Sequence, residues 1–523
     1  MTVLRNGRAG GRRSGTLSRR PAAVALLAAL SVVAAACGAR VPPYLGAGQA
    51  GVTPGAGGQT TGSGSPSGAG GTPAAGPTSG GGSALGATGP AAGPASGGSG
   101  PAAAPAGGAP AGGLAGLTPS SFPYNPAQQA ALCPGGGGNT ASAVGVTPTS
   151  ITLGNVSGLT GILANNFNQG PEAVEALFKA VNSAGGICGR QLQLQVEDDG
   201  QDAGKNAADI ADEIPKVLAF VGSTSDADNG GVQEMVNGNV PDLGVAINGN
   251  RGSSSVYWST NGATQYLVNG HPEIYDSFVN GLKAAGNFPS KVATLAYSIA
   301  ISAQAGQQFQ NLFVHDGSQN CFTDFSVSPA TASLDQDVLE MKSKGCNGVF
   351  TTMDVTGTAK LLAAMARQNF HPVFKGTTFD GYTQSQIDVA NTDSPGSADG
   401  LEAALPFLPL SDGNPIVNLY LAELRTYQPG KEPSGFGFES WATGQMFIYA
   451  LLKAGRNPTR ASLTQALQGI DSWNTGGATA PITPRLRQPS GPCTMDVVVK
   501  GNGFTRKWPA SGFFCTGQLV PVG

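Results

Sequence analysis

Residues 151–199 read ITLGNVSGLTGILANNFNQGPEAVEALFKAVNSAGGICGRQLQLQVEDD, a complete β-loop-α-β unit with a polar, uncharged loop after its first strand. Ile151, Leu153 and Val156 make a short apolar strand, and from Gly170 the spacing turns helical, with Val174, Leu177, Phe178 and Val181 at i, i+3, i+4 and i+7. Gly185 and Gly186 stop that helix. Leu192, Leu194 and Val196 then alternate with Gln191, Gln193 and Gln195, the period-two pattern of a strand with one wetter face. Strand, helix, strand in that order predicts a parallel, right-handed crossover, whose strand C-termini face the crevice where open α/β sheets bind ligands. The loop Ser157 to Gln169 falls in that crevice.

Working outward, the loop Leu159-Thr160-Gly161, the helix opened by Gly170, the turn Asn182 to Arg190 and the strand end Val196-Glu197-Asp198-Asp199 occur in a fixed order. On these residues the segment resembles the type I periplasmic binding proteins, the substrate-binding components of ABC transporters in the branched-chain amino acid family. The resemblance continues to about Gly512. It implies an α/β, two-lobed type I periplasmic-binding-protein fold, each lobe a parallel-sheet α/β sandwich, the two joined by crossover segments. Size agrees, because the roughly 390 residues from position 131 exceed what one hydrophobic core usually serves. The expected first lobe takes residues 148–268 and 413–470, and the second 269–412 and 471–523. Helices are expected over Ala203 to Ile214, Gln265 to Ala285 and most of Asn414 to Gly455.

The first 36 residues carry six arginines and an apolar run from Ala22 to Ala36, followed by Cys37-Gly38. Small residues before a cysteine mark a lipoprotein-type signal, so Cys37 is the expected lipidation site, with a plain signal peptide or an uncleaved membrane helix as alternatives. The run is short for a span of roughly 20 apolar residues. Loss of those arginines takes the formal charge from −3 to −9, which leaves no footprint for nucleic acid. Residues 37–130 are nearly all Gly, Ala, Pro, Ser and Thr, and no charged residue lies between Arg40 and Glu172. That composition reads as a disordered tether. The expected location is the outer face of the cytoplasmic membrane.

Apart from Cys37, the chain has six cysteines, an even number that suits disulfides in an exported protein. Cys321 and Cys346 each precede a predicted strand, Cys493 and Cys515 bracket a hairpin turning at Gly501-Asn502-Gly503, and Cys133 is left for Cys188. No Cys-x-x-Cys or Cys-x-x-His spacing points to a metal. Nor do His271, His315 and His371 sit in any metal or triad pattern, and no G-x-S-x-G, H-E-x-x-H or phosphate-binding loop occurs. Neither an enzyme nor a cofactor is indicated.

What remains is a set of polar loops at strand ends, of the kind that hold a small ligand. In the first lobe these supply Thr160, Asn166 and Phe167; Ser223, Thr224 and Ser225, where helix N-capping is the competing role; and Ala246 and Asn248. In the second they supply Tyr297, Asp354, Asp380 and Tyr382. Glu197-Asp198-Asp199 reads as a solvated acidic turn. The resemblance implies that Ser225 or Asp226, with Ala246 and Asn248, meets the carboxylate and ammonium of an amino acid, and that Asp380 pairs with the ammonium. Asn248 stands where the family has Thr, and Ile299-Ala300-Ile301-Ser302 lacks the family's aromatic residue. The expectation is a monomeric solute-binding protein that delivers a small polar metabolite (an amino acid, an amide or a related compound) to a membrane permease, with a sensor of the same fold and an extracellular enzyme as rivals.

Overall fold

The computed structural model describes residues 118–119, 122, 133, 137–260, 266–484 and 492–523. Cys37, the export segment and all but Thr118, Pro119 and Phe122 of the tether lie outside the described residues. Strand β1 (Ser150–Ser157) pairs in parallel with β2 (Gln191–Asp198), joined through helix α1 (Gln169–Ser183). Helix α2 (Ala203–Glu213), N-capped by Asp202 accepting from the Lys205 amide, leads to β3 (Phe220–Val221). Strands β4 (Asp242–Leu243) and β5 (Tyr257–Trp258) complete a parallel sheet of order β2-β1-β3-β4-β5. The order reverses at β1 and β3, so the loops after these strands flank a topological switch point.

Chain then crosses to a second sheet through β6 (Tyr266–Val268), β7 (His271–Tyr275) and helix α3 (Ser277–Ala285). Here the expected single helix from Gln265 is corrected: β6 and β7 form an antiparallel hairpin turned at Asn269-Gly270. Both turn residues have positive φ (52° and 83°), the backbone of a two-residue primed turn that Asn-Gly favours, and Pro272 follows at once. Only the part from Ser277 is helical.

Strand β8 (Lys291–Tyr297), helix α4 (Ala300–His315), β9 (Gln319–Val327) and β10 (Gly348–Thr351) open the second sheet. Helix α5 (Val355–Arg367), β11 (Phe374–Thr377) and β12 (Leu401–Leu405) continue it. These five strands run parallel, while β13 (Met495–Lys500) and β14 (Gly503–Trp508) add on antiparallel beside β12. The switch point of this sheet lies between β8 and β10.

The Asn414 to Gly455 segment splits into α6 (Pro415–Tyr427) and α7 (Gly435–Ala454), both packed against α1. Pro429-Gly430 and Pro433 interrupt it. Helix α7 is buried from Gly435 to Leu452, with Glu439, Ser440, Thr443 and Gln445 enclosed among its apolar side chains, as suits a helix surrounded by protein. A β-carbon on Gly444 would come within 2.7 Å of Leu177, and its lack lets α7 and α1 approach. Trp441, fully buried, donates Nε1–H to Glu423 at 2.7 Å.

Phe122, assigned by composition to the tether, is instead 1% exposed, its ring 5.6 Å from those of Tyr449 and Trp473. An apolar ring gains by leaving water where the folded part offers a slot, so the polar composition around Phe122 does not decide its place. The sulfurs are joined as Cys133–Cys188, Cys321–Cys346 and Cys493–Cys515, with Cα separations of 5.4, 5.7 and 4.0 Å. No helix among the described residues is long and apolar enough to cross a membrane.

Candidate functional site

The two switch points face each other across a cleft of about 650 Å³, counting the part open to solvent. From the first lobe, Leu163, Asn166, Phe167 and Ile247 line it, and Phe436 enters from the start of α7. The second contributes Tyr297, Ile301, Ser302, Asp354, Phe379 and Asp380 among others. Five of the expected ligand residues are thereby brought together: Asn166, Phe167, Tyr297, Asp354 and Asp380.

The polar groups of the second lobe are held by their own neighbours. Asp354 N-caps α5 by accepting from the Gly357 amide at 2.9 Å, and it also accepts the Tyr297 hydroxyl at 2.6 Å. Burial, then the Asp354 carboxylate, pushes the Tyr297 phenol above its ordinary range, so it stays a donor. Asp380 takes the Thr378 hydroxyl, and Asn166 Nδ2 approaches its other oxygen at 3.4 Å from the opposite lobe. Burial raises the Asp380 carboxyl above the usual range, and the Thr378 hydrogen bond partly offsets this. Among the described residues, no lysine or arginine lines the cleft.

The other seven expected ligand residues do not line the cleft, and the physical reason is that another group of the protein, backbone or carboxylate, claims each polar atom. Thr160 bonds to Asp198 at 2.6 Å, which also accepts the amides of Leu159, Thr160 and Gly200. The acidic strand end is therefore a brace for the first loop rather than a solvated turn; Asp199 beside it is fully buried and holds Asn206. Gly161, at φ 109°, lets the chain turn against Gln201, where a β-carbon would sit 2.7 Å away.

Ser223 accepts from the Val156 amide, Ser225 accepts from the Ala227 amide, and Thr224 donates to the Phe167 carbonyl at 2.7 Å. All three are at least 95% buried. Pro171, four residues beyond Phe167, has no N–H for that carbonyl, and the Thr224 hydroxyl supplies the bond. The serine-rich loop thus carries the cleft wall from behind.

Ala246 is fully buried, its amide donating to Tyr257. Asn248 spends its side-chain amide on the Asp226 carbonyl and on Asp228, both at 2.8 Å. Tyr382 accepts from the Leu410 amide and packs on Phe407 and Phe504 inside the second lobe.

Sequence reasoning missed Arg251. It grips Asp242 with Nε and Nη2, both at 2.8 Å, and reaches Asp228 with Nη1 at 3.2 Å, all three side chains at most 3% exposed. Burial disfavours its charge, yet Asp242 and Asp228 hold its pKa above the ordinary value. Asp228 in turn accepts the amides of Ile247 and Asn248, which fixes the loop that presents Ile247 to the cleft. Phe436 was missed too. The signal was Ser434, which N-caps α7 and so fixes where that helix begins at the cleft.

A family model described as a periplasmic binding protein matches residues 150–502. Among solved structures, the fatty acid ABC transporter substrate-binding protein from Thermomonospora curvata is similar at 18% identity and TM-score 0.60, over 72% of this chain and 95% of that one. The branched-chain amino acid substrate-binding protein from Streptococcus pneumoniae, in complex with isoleucine, is similar at 13% identity and TM-score 0.55, over 71% and 100%. A solute-binding protein from R. palustris in complex with benzoate is similar at 12% identity and TM-score 0.56, over 71% and 97%. The comparison with curated protein sequences found no match. With two parallel sheets, a cleft between their switch points and a family match across 150–502, the chain belongs to the periplasmic binding protein family and has its type I fold.

Proposed function

We propose that this protein is a solute-binding lipoprotein, held at the outer face of the cytoplasmic membrane by a lipid on Cys37, that works as a monomer and passes a small ligand to the permease of an ABC importer. The observation that carries this reading is the cleft itself, to which the first lobe brings Asn166 and Phe167 and the second Tyr297, Asp354 and Asp380. A ligand that touches both lobes stabilises the closed form by its differential affinity for it.

Isoleucine and benzoate, named for two of the similar structures, each join an apolar body to a carboxylate. This cleft supplies an apolar wall from Leu163, Phe167, Ile247, Ile301, Phe379 and Phe436, but faces the ligand with two carboxylates and, among the described residues, no cation. An anionic head is therefore disfavoured. The ligand is a neutral or cationic molecule that donates hydrogen bonds, more apolar than an ordinary amino acid. Burying about 200 Å² of its hydrocarbon contributes about 5 kcal/mol, against about 1.5 to 3 for a charge-assisted bond to Asp380. The wall gives affinity and the carboxylates give orientation.

Native mass spectrometry of protein purified from its own host should find such a compound, and calorimetry with it should show one site that Asp380→Asn weakens. A co-purified compound converted on the protein would point to catalysis instead, and a Cys37→Ala chain that still partitions into detergent would remove the lipid anchor.

A further inference from the structure

A second cavity inside the second lobe shares part of its wall with the cleft. Thr378 and Phe379, which line the cleft at the end of β11, also line this cavity of about 710 Å³, again counting space open to solvent. That cavity lies between the second sheet and its covering helices, with Phe350 and Ala404 on the sheet side and Phe278, Phe309 and Leu312 on the helix side. Among the described residues, no carboxylate, ammonium or guanidinium lines it.

One helix serves both spaces. On α4, Ile301 and Ala305 face the cleft, while Phe309 and Leu312 face the cavity. Positions i, i+4, i+8 and i+11 form a single stripe, which rises about 16 Å from end to end. The stripe is continuous, and the residues shared by the two spaces sit beside it.

The cavity also holds an unsatisfied group. Thr377 is 1% exposed and its Oγ1 has no hydrogen-bond partner among the described residues. A buried hydroxyl in that state favours water unless something excludes it.

We infer that cleft and cavity are one bipartite site for an amphiphile. Its hydrogen-bond-donating or cationic head sits at Asp380 and Asn166, and its unbranched hydrocarbon tail passes Phe379 to lie along the Ile301 to Leu312 stripe inside the second lobe. The inference rests on the cleft being the ligand site, as proposed above. It names the ligand class: long-chain, uncharged or cationic at one end, and apolar at the other.

Primary alkylamines are suitable probes, titrated by calorimetry into full chain carrying Cys37→Ala so that no detergent competes. Affinity should rise about four-fold per methylene from butylamine through hexylamine and octylamine to decylamine. Ala404→Leu and, independently, Phe309→Trp fill the cavity and should lower the ratio of decylamine to butylamine affinity about ten-fold or more. Thr377→Val replaces the unpartnered hydroxyl in the cavity wall by a methyl group, and should tighten decylamine a few-fold. Asp380→Asn should weaken every amine by the same factor. A gain that stops at butylamine, or a decylamine-to-butylamine ratio indifferent to all three cavity variants, overturns the tail site while leaving the head site standing. Chain-length dependence with no effect of Asp380→Asn overturns the cleft reading and the bipartite site with it, as does failure of every amine to bind.

Discussion

Asn166 Nδ2 lies 3.4 Å from Oδ2 of Asp380, a contact between residues 214 apart in sequence and on opposite lobes. A neutral donor at that distance is weak, so it marks the closing geometry without locking it. A ligand bearing an ammonium or amide at the same carboxylate competes with Asn166 for it. Asp380→Asn should weaken a cationic ligand by roughly 2 kcal/mol, about 30-fold, and Asn166→Ala should change affinity by less than about 1 kcal/mol while shifting the free protein towards the open form in small-angle scattering. Because burial raises the Asp380 carboxyl, binding of a cation should already decline at mildly acid pH, where an ordinary carboxylate would still be charged.

Thr224 does not line the cleft, yet its hydroxyl holds the Phe167 carbonyl that Pro171 leaves without a helical donor. Thr224→Val keeps the shape and orphans that carbonyl, which should cost about 1 to 3 kcal/mol of stability. Ligand affinity should fall as well, since Phe167 and Asn166 sit on the released turn. Urea unfolding and calorimetry on the same variant test both; an unchanged midpoint would show that the carbonyl finds another donor.

The Arg251 cluster is buried on every side, and removing one partner leaves an uncompensated charge. Arg251→Met should destabilise the chain by about 3 to 5 kcal/mol. The paired change of Arg251→Met with Asp228→Asn and Asp242→Asn should recover much of this, because no orphan charge remains. Denaturant midpoints of the single and triple variants decide it.

Glu423 is buried under Trp441, and burial pushes its carboxyl up to about 8 from 4.5. The folded state therefore binds a proton that the unfolded state has released, so this group's contribution is complete below about pH 4.5 and is lost as pH rises through 8. The free energy of unfolding should fall between pH 5 and pH 9 by an amount on the order of a few kcal/mol, read from denaturant curves at each pH. Glu423→Gln, which still accepts from the indole, should flatten that slope and be the more stable protein at the alkaline end.

The amino-acid sequence by itself determined the β-loop-α-β unit at Ile151 to Asp199. Periodicity and the Gly185-Gly186 stop are local properties, and a strand or helix needs only its own residues to show its apolar face. The alternation of strands and helices, the family likeness and the five cleft residues were legible for the same reason, since ligand loops follow parallel strands. The hairpin at Asn269-Gly270 reads in the sequence as part of a helix, because the apolar spacing around it outweighs the Asn-Gly turn signal.

Tertiary structure alone decided which way each hydroxyl turns. Ser223, Thr224 and Ser225 offer the same donors and acceptors to a ligand as to a backbone group, and the choice fell to Val156, Phe167 and Ala227, up to 67 residues away. Arg251 finds Asp228 and Asp242, and Phe436 reaches the cleft, only because separate segments meet in space. Strand ends can be counted along a chain, but the partner of a buried polar atom is set by packing, where an unpaired donor or acceptor costs more than any local preference can supply.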